Sequence, residues 1–558
     1  NDIFIAKLNA DGSYAWANSA GGIYSDVGVS ITSLADNSSI ITGSYQGAAS
    51  FGPYSLNSGN GSYSNGFIAK LNADGTYAWA INVGSNQGVN NVPAYWNESV
   101  TGIDAATDGS IYITGYGRYI NVGGVSITFD TGTNDAFVAK ISATGSVAWV
   151  SSSSGSGAEI AQDIKVLSDG SSIITGYFSG AAVFGSTTLN SIGNDLFVAK
   201  LSATGSFLWA KQATGVSGTA GNESANAIAT LSDGSSIVVG SFTGKATFGS
   251  ITLNSQGSIL NSAGPEDVFI AKLDANGNFI WATQAGGAAA DSAADIATLS
   301  DGSSLITGRF SGTAVFGGTT LISTGNNDVF VAKLNADGSF AWANRAGGLS
   351  DDAALSIAAM ADGSAVITGY FNSNAAIGTT SLNTSGSSDI FTARINANGT
   401  WNEITTNQSP TGIYLFNQVK LPENTNTSNA VKVADIGITD DCLGTNSLSL
   451  SGADAALFQI VGNSLYLKAA TALNYQLRNS LSVTLSVIDS SVAGAVAATT
   501  SYSFAVTNAD SWATSAGGTL ADQGNAVTRL VDGSSILTGY FQGTASFGST
   551  TLTAAGSN

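Results

Sequence analysis

The stretch "NDVFVAKLNADGSFAWANRAGG" (residues 327–348) sets two apolar runs on either side of an Asp-Gly pair. Alternating apolar residues flanking Asp-Gly read as a hairpin, with a type I′ turn expected because that turn takes positive φ at both central residues. Near-copies recur outward from this stretch, and the chain opens on one, "NDIFIAKLNADGSYAWANSAGG" (1–22). The strand "FIAKL" or a variant begins at Phe4, Phe67, Phe137, Phe197, Phe269, Phe330 and Phe391. A second signature, "DGSSLITG" at 301–308, recurs from Asp36, Asp108, Asp169, Asp233, Asp362 and Asp532. Both step by 60–72 residues, except for a final interval of 170 in the second.

One period reads strand, tight turn, strand, longer loop, strand, tight turn, strand. Four antiparallel strands in each of seven periods predict an all-β fold, a seven-bladed β-propeller. A solenoid is the alternative, although its repeats usually carry one or two strands. The recurring tryptophans, Trp16, Trp79, Trp149, Trp209, Trp281, Trp342 and Trp512, suit large side chains packed between neighbouring blades. The ends follow the same logic. Residues 520–558 supply the first two strands of a blade and residues 1–20 the last two, which closes a ring without a free sheet edge.

The long interval holds roughly 405–508, whose short alternating runs "SLYLKA" and "SVTLSVID" fit a β-sandwich. The expected domains are therefore a propeller over 1–404, a sandwich over 405–508, and a propeller continuation over 509–558. That continuation is either the closing blade or the start of a next propeller. The second arrangement is preferred, because a sandwich with its termini at opposite poles is awkward to splice into a hairpin. Residue 1 is not Met, and the chain reads as a processed product or a piece of something longer.

Composition narrows the function. With 38 acids against 18 bases the formal charge is −20, a field that repels nucleic acid and anionic membranes and attracts cations. No run of about 18 apolar residues predicts membrane insertion. The 558 residues contain no His and one Cys, Cys442, which removes the usual general base, an intramolecular disulfide and Cys-based zinc. Neither a P-loop nor a Gly-x-Ser-x-Gly elbow with a base is present. The chain is read as no enzyme, with a glycosidase-like carboxylate pair in a channel as the open alternative. Few Cys and Lys beside many Ser, Thr, Asn and Gly fit an extracellular, bacterial cell-surface protein.

The repeats over nearly all of 1–401 and 510–558 resemble the bacterial SBBP-type β-propeller repeat. The insert resembles cadherin-like domains of large bacterial surface proteins, through "SPTGIYL" (409–415), "LPEN" (421–424), "NSLSLSGADAALFQIVGNSLYLKAATALNYQ" (446–476) and "LSVTLSVID" (481–489). These resemblances imply display, adhesion or matrix building: a surface filament, sheath or adhesin whose partners are copies of itself and cell-surface glycans. Cadherin-like calcium sites would use Glu423, Asp440, Asp441 and Asp489, while "LNYQ" at 473–476 replaces the acidic family pattern.

Three sets of site residues emerge. Five positions before the Ile or Val of each first strand stands a carboxylate: Asp26, Glu98, Glu159, Glu223, Asp291, Asp352 and Asp522. These would encircle one channel mouth and hold Ca²⁺, or each would bond loop backbone within its own blade. Lys7, Lys70, Lys140, Lys200, Lys272, Lys333 and Arg394 form a basic series suited to ion pairs or snorkelling stems between blades. The loop at 82–99 departs from the repeat, and its Tyr95 and Trp96 would stack on sugars or pack on the next blade.

Overall fold

The computed structural model describes residues 1–9, 14–59, 62–84, 97–128, 133–215, 222–256, 265–384, 386–401, 412–416, 418–419, 421, 427–439, 446–462, 464–473, 480–489, 495–505, 523–529, 535–547 and 550–554. The chain divides into two compact units. One comprises Asn1–Asn402, Ala516–Phe547 and Thr551–Asn558, the other Glu403–Ser515 with Gly548–Thr550.

The first unit repeats one meander. Val27–Ser33 pairs with Ser39–Gln46, which pairs with Ser64–Leu71, which pairs with Tyr77–Val83, all antiparallel. The same order starts again at Ser99–Ala105, Glu159–Val166, Glu223–Thr230, Ser292–Thr298 and Asp352–Ala359. A further meander is built from both chain ends: Gln523–Arg529, Ser535–Phe541, Asp2–Leu8 and Tyr14–Gly22. Its joining register runs through Phe4↔Gly539 and Ala6↔Leu537. Within this chain its own strands satisfy both edges of Asp2–Leu8. The first strands touch in a closed cycle. Each contacts the first strand of the next repeat, and Asp352–Ala359 and Val27–Ser33 both contact Gln523–Arg529.

The "longer loop" of each period contains a second hairpin. Ala48–Phe51 and Tyr54–Asn57 pair with each other, and Ala49 and Ser50 then pair with Gly22 and Gly21 of the preceding repeat. In Ser304–Phe316 and Thr319–Leu334 this hairpin continues the second and third strands past a bulge at Ser311/Thr313. Gly312 there has φ +63°. Among the described residues, six of these hairpins hook onto the fourth strand of the repeat before them, as Val315↔Gly286 and Ala376↔Gly347 also show. The Gly-Gly pair at that fourth strand is required by the approach: a Cβ on Gly287 would lie 1.8 Å from the Thr313 carbonyl oxygen.

The tight turns differ from the type I′ expectation. In Leu299–Ser303 the Gly302 N–H bonds the Leu299 carbonyl, and only Gly302 has positive φ, at +81°. This is a type I turn closed by a left-handed glycine bulge, which needs one such residue and not two. Asp301 Oδ1 accepts the Ser303 N–H at 2.9 Å and fastens the bend. In the strand that follows, Thr307 Oγ1 donates to the Phe330 carbonyl at 2.8 Å, both residues fully buried.

The second unit has two antiparallel sheets around one core. Gly412–Phe416, Val431–Thr439, Ser464–Leu467 and Phe458–Val461 form one; Asn446–Ser451, Ser480–Asp489 and Ala498–Ala505 form the other. Val433, Phe458, Leu465, Val483, Leu485 and Phe504 pack between them. Burial of such side chains contributes about 1.5–3 kcal/mol each.

Candidate functional site

Neighbouring first strands are sheet edges, so their backbone groups need partners from outside the ladder. Side chains supply them across the cycle. Asp104 Oδ2 accepts the Val166 N–H at 2.7 Å, Asp163 Oδ2 accepts Ile228 N–H at 3.0 Å, and Asp295 Oδ2 accepts Ile357 N–H at 2.8 Å. Each bond runs from one repeat to the next. Lys165 Nζ lies 3.2 Å from both oxygens of Asp163. These four residues face a cavity of about 360 Å³ that is also lined by polar side chains such as Thr101, Asn226 and Ser356 and by apolar ones such as Ile31, Ile103 and Leu355.

Burial pushes Asp295 up to about 6, helped by Asp163 and opposed by Lys165. Burial also raises Asp104, against the pull of Lys165 and the Val166 N–H. Burial lowers Lys165, but Asp163, Asp104 and Asp295 outweigh it and hold the ammonium well above its ordinary value. The sequence reading missed this cluster, although it breaks the repeat: the residue before the Ile of each first strand is small except at Asp163 and Asp295.

None of the predicted acid series lines this cavity. Asp26, Glu98, Glu159, Glu223, Asp291 and Asp352 are at most 1 % exposed. The physical reason, in four of them, is a backbone bond just before the first strand: Asp26 N–H to Asn1 carbonyl, Glu98 N–H to Ser64, Glu159 N–H to Asn134 and Asp291 N–H to Glu266. It turns the side chain into the joint between two repeats. Asp291 there accepts the Gly287 N–H at 2.8 Å and the Ser311 N–H at 3.0 Å. Asp26 does the same with Gly22 and Gln46, and Asp352 with Gly348 and Asn372. The backbone-bonding alternative therefore describes these three, but across a joint and not within one blade. Asp522 lies outside the described residues.

A second acid stands two residues before the "FIAKL" phenylalanine in every repeat but the one with Asn65, and Asp135, Asp195, Asp267 and Asp328 are all buried. A Cβ on Gly286 would lie 2.7 Å from Asp267 Oδ1 and 2.9 Å from Asp291 Oδ2, so both carboxyls occupy the face a side chain would fill. Burial raises Asp291 and Asp267 to about 7. Burial and then Asp135 carry Glu159 to about 9, and burial and then Asp195 carry Glu223 to about 8. The fixed Asp-to-Phe spacing was the available signal, overlooked because the Asp reads as the start of a strand.

Three members of the basic series form ion pairs within a repeat and not between repeats, and Lys140 Nζ lies over the Tyr112 ring. Lys70 Nζ is 3.5 Å from Asp36, Lys333 Nζ 4.0 Å from Asp301, and Arg394 Nη2 2.6 Å from Asp362. Those aspartates are exposed, so each pair is worth little. The tryptophans do bridge repeats: Trp16 Nε1 donates to Ala73 at 3.3 Å and Trp149 Nε1 to Ala203 at 3.1 Å. Tyr95, Trp96, Glu423, Asp440 and Asp441 lie outside the described residues, and Asp489 ends the strand Ser480–Asp489, opposite Asn446.

No family model matches the chain. It is 26% identical over 458 residues to an uncharacterized WD repeat-containing protein, L264, of Acanthamoeba polyphaga mimivirus, covering 66% of this chain and 31% of that relative. The chain thus spans about a third of the relative's length. Among solved structures it is similar to a protein of unknown function from Bacteroides caccae (TM-score 0.31, 9% identity, 62% of this chain and 93% of that one). It is also similar to the rhamnogalacturonan lyase YesW (TM-score 0.24, 11% identity, 76% and 84%). Together with the recurring meanders, the WD-repeat similarity marks an all-β repeat protein of β-propeller type.

Proposed function

We propose that the chain is a non-catalytic extracellular protein of the bacterial cell surface, a seven-bladed β-propeller carrying a cadherin-like sandwich, that builds a filament, sheath or adhesin. One observation carries this reading: the recurring polar and aromatic residues are spent on joining. Asp291 and its equivalents tie a hairpin to the preceding repeat, Asp163 and Asp295 tie first strand to first strand, and Trp16 and Trp149 reach into the next repeat. Such bonds favour rigidity over chemistry. The chain's proposed partner is a second copy of itself. The antiparallel pairing of Asp2–Leu8 with Ser535–Phe541, made between two chains instead of within one, would link units into an array.

The second reading is a glycan-binding module, favoured by the polar cavity and by the aromatic pair Tyr95 and Trp96 in the 82–99 loop. Negative-stain electron microscopy of the native material, with and without a calcium chelator, separates the two. Regular beaded fibres support the structural reading, and their loss in chelator makes Ca²⁺ the cement. Isolated particles, with glycan-array binding lost on Trp96→Ala, replace it with the second reading.

A further inference from the structure

The joints between repeats neutralise their buried carboxyls in different ways, and one joint leaves three of its four carboxyl oxygens without a donor. At Asp26, Asp291 and Asp352, two backbone N–H groups serve the acid. At Asp328, Arg345 from the fourth strand places Nη1 3.0 Å from Oδ2, so the protein brings its own cation into the joint. Arg345 stands opposite Phe330 in the ladder. The residue opposite the equivalent Phe137 is Ser152, which carries no charge.

In that joint Asp135 and Glu159 are both fully buried. Apart from each other, both oxygens of Asp135 and Oε1 of Glu159 lack a hydrogen-bond donor, and Glu159 Oε2 has only a long 3.4 Å bond from Ser153 Oγ. The backbone donor that serves the acid elsewhere is diverted: Ser179 N–H, at the hairpin exit, bonds the Ala158 carbonyl. Gly155 leaves the space open, since a Cβ there would sit 2.8 Å from Glu159 Oε1. No ion pair reaches either acid among the described residues. Left ionised, the two buried acids would be strongly destabilising, so a proton or a cation must offset their charge.

We propose that the Asp135–Glu159 joint binds one hard divalent cation, Ca²⁺, in the role that Arg345 plays at the Asp328 joint. The donor set is all oxygen: two carboxylates and the Ser153 hydroxyl, with water or carbonyls completing the six to eight ligands that Ca²⁺ takes. Mg²⁺ demands tighter octahedral geometry and gives up its waters reluctantly, so it is the weaker fit. This inference does not depend on whether the protein forms fibres.

The test is equilibrium dialysis of the whole chain against ⁴⁵Ca²⁺ at pH 7.5, with melting followed in Ca²⁺ and in chelator. Wild type is expected to bind one more calcium per chain than Asp135→Asn/Glu159→Gln and to melt several degrees higher with Ca²⁺. Ser152→Arg, which copies Arg345 into this joint, is expected to abolish that extra equivalent and to melt alike with and without Ca²⁺. It keeps the test decisive if the double variant fails to fold. Equal calcium uptake by wild type and Ser152→Arg, or a wild-type melt indifferent to Ca²⁺, overturns the proposal and leaves a proton shared by the two acids as the neutralising partner.

Discussion

Trp16 occupies the space that a side chain at Gly75 would need. A Cβ on Gly75 would lie 2.9 Å from Trp16 Cδ2, and Gly75 itself sits at φ +87°. The same relationship holds between Trp149 and Gly205 and between Trp342 and Gly399. One residue thus serves two levels of structure, because its left-handed backbone closes a turn and its missing side chain admits the indole of the preceding repeat.

Gly75→Ala should therefore combine backbone strain with overpacking and lower stability by about 2 kcal/mol or more. Gly318→Ala, where a Cβ meets nothing within 4 Å, should stay within about 0.5 kcal/mol of wild type. Denaturant titration of the two variants checks this. Equal effects would mean that the indole does not constrain the turn.

Thr307→Val keeps the shape of a fully buried side chain and deletes its bond to the Phe330 carbonyl. The expected loss is about 1 kcal/mol or somewhat more, since the carbonyl keeps its ladder partner but the second bond is gone. Chemical denaturation reads the change directly.

Burial pushes Asp295 up to about 6 in the folded chain, above the ordinary aspartate value of 3.8. The folded state then binds the proton more tightly than the unfolded state. Its stabilising share is complete below about pH 4 and is lost as pH rises through 6. Melting temperature of wild type minus Asp295→Asn should accordingly fall between pH 4 and pH 7 and level off above. A difference that rises over that window would reverse the sign assigned to this group.

Asp2–Leu8 lies between Ser535–Phe541 and Tyr14–Gly22, hydrogen-bonded on both sides. A chain lacking residues 1–9 should expose two strand edges, melt lower, and regain stability on adding the peptide 1–9 in excess. A scrambled peptide should have no effect. Rescue by both peptides alike would argue against a specific socket.

Much of this was legible in one dimension. The two motifs marked the meander and its register, and the shared signature of residues 1–22 and 327–348 placed the joining strands. The Asp-Gly turns were found correctly but assigned the wrong type, because Gly302 alone takes positive φ. The side hairpin was read as a loop, since strands such as Ala48–Phe51 are too short for alternation to stand out. The acids before each first strand were found as a series, but their surroundings were not, and neither were their partners such as Asp135 and Asp328.

The sequence by itself determined the repeat and the order of strands within it, because period-two alternation and turn chemistry are local properties. Only the tertiary structure decided which carboxyls meet and what neutralises them. Asp135 and Glu159 belong to different repeats and come together because a hairpin crosses from one repeat to the last strand of the other. Burial, and with it the demand for a proton, a guanidinium or a metal ion, is set by that crossing and by whether Ser152 or Arg345 stands opposite the phenylalanine. Charge compensation in a dry joint depends on what lies within a few ångströms in space, and residue spacing along the chain does not specify it.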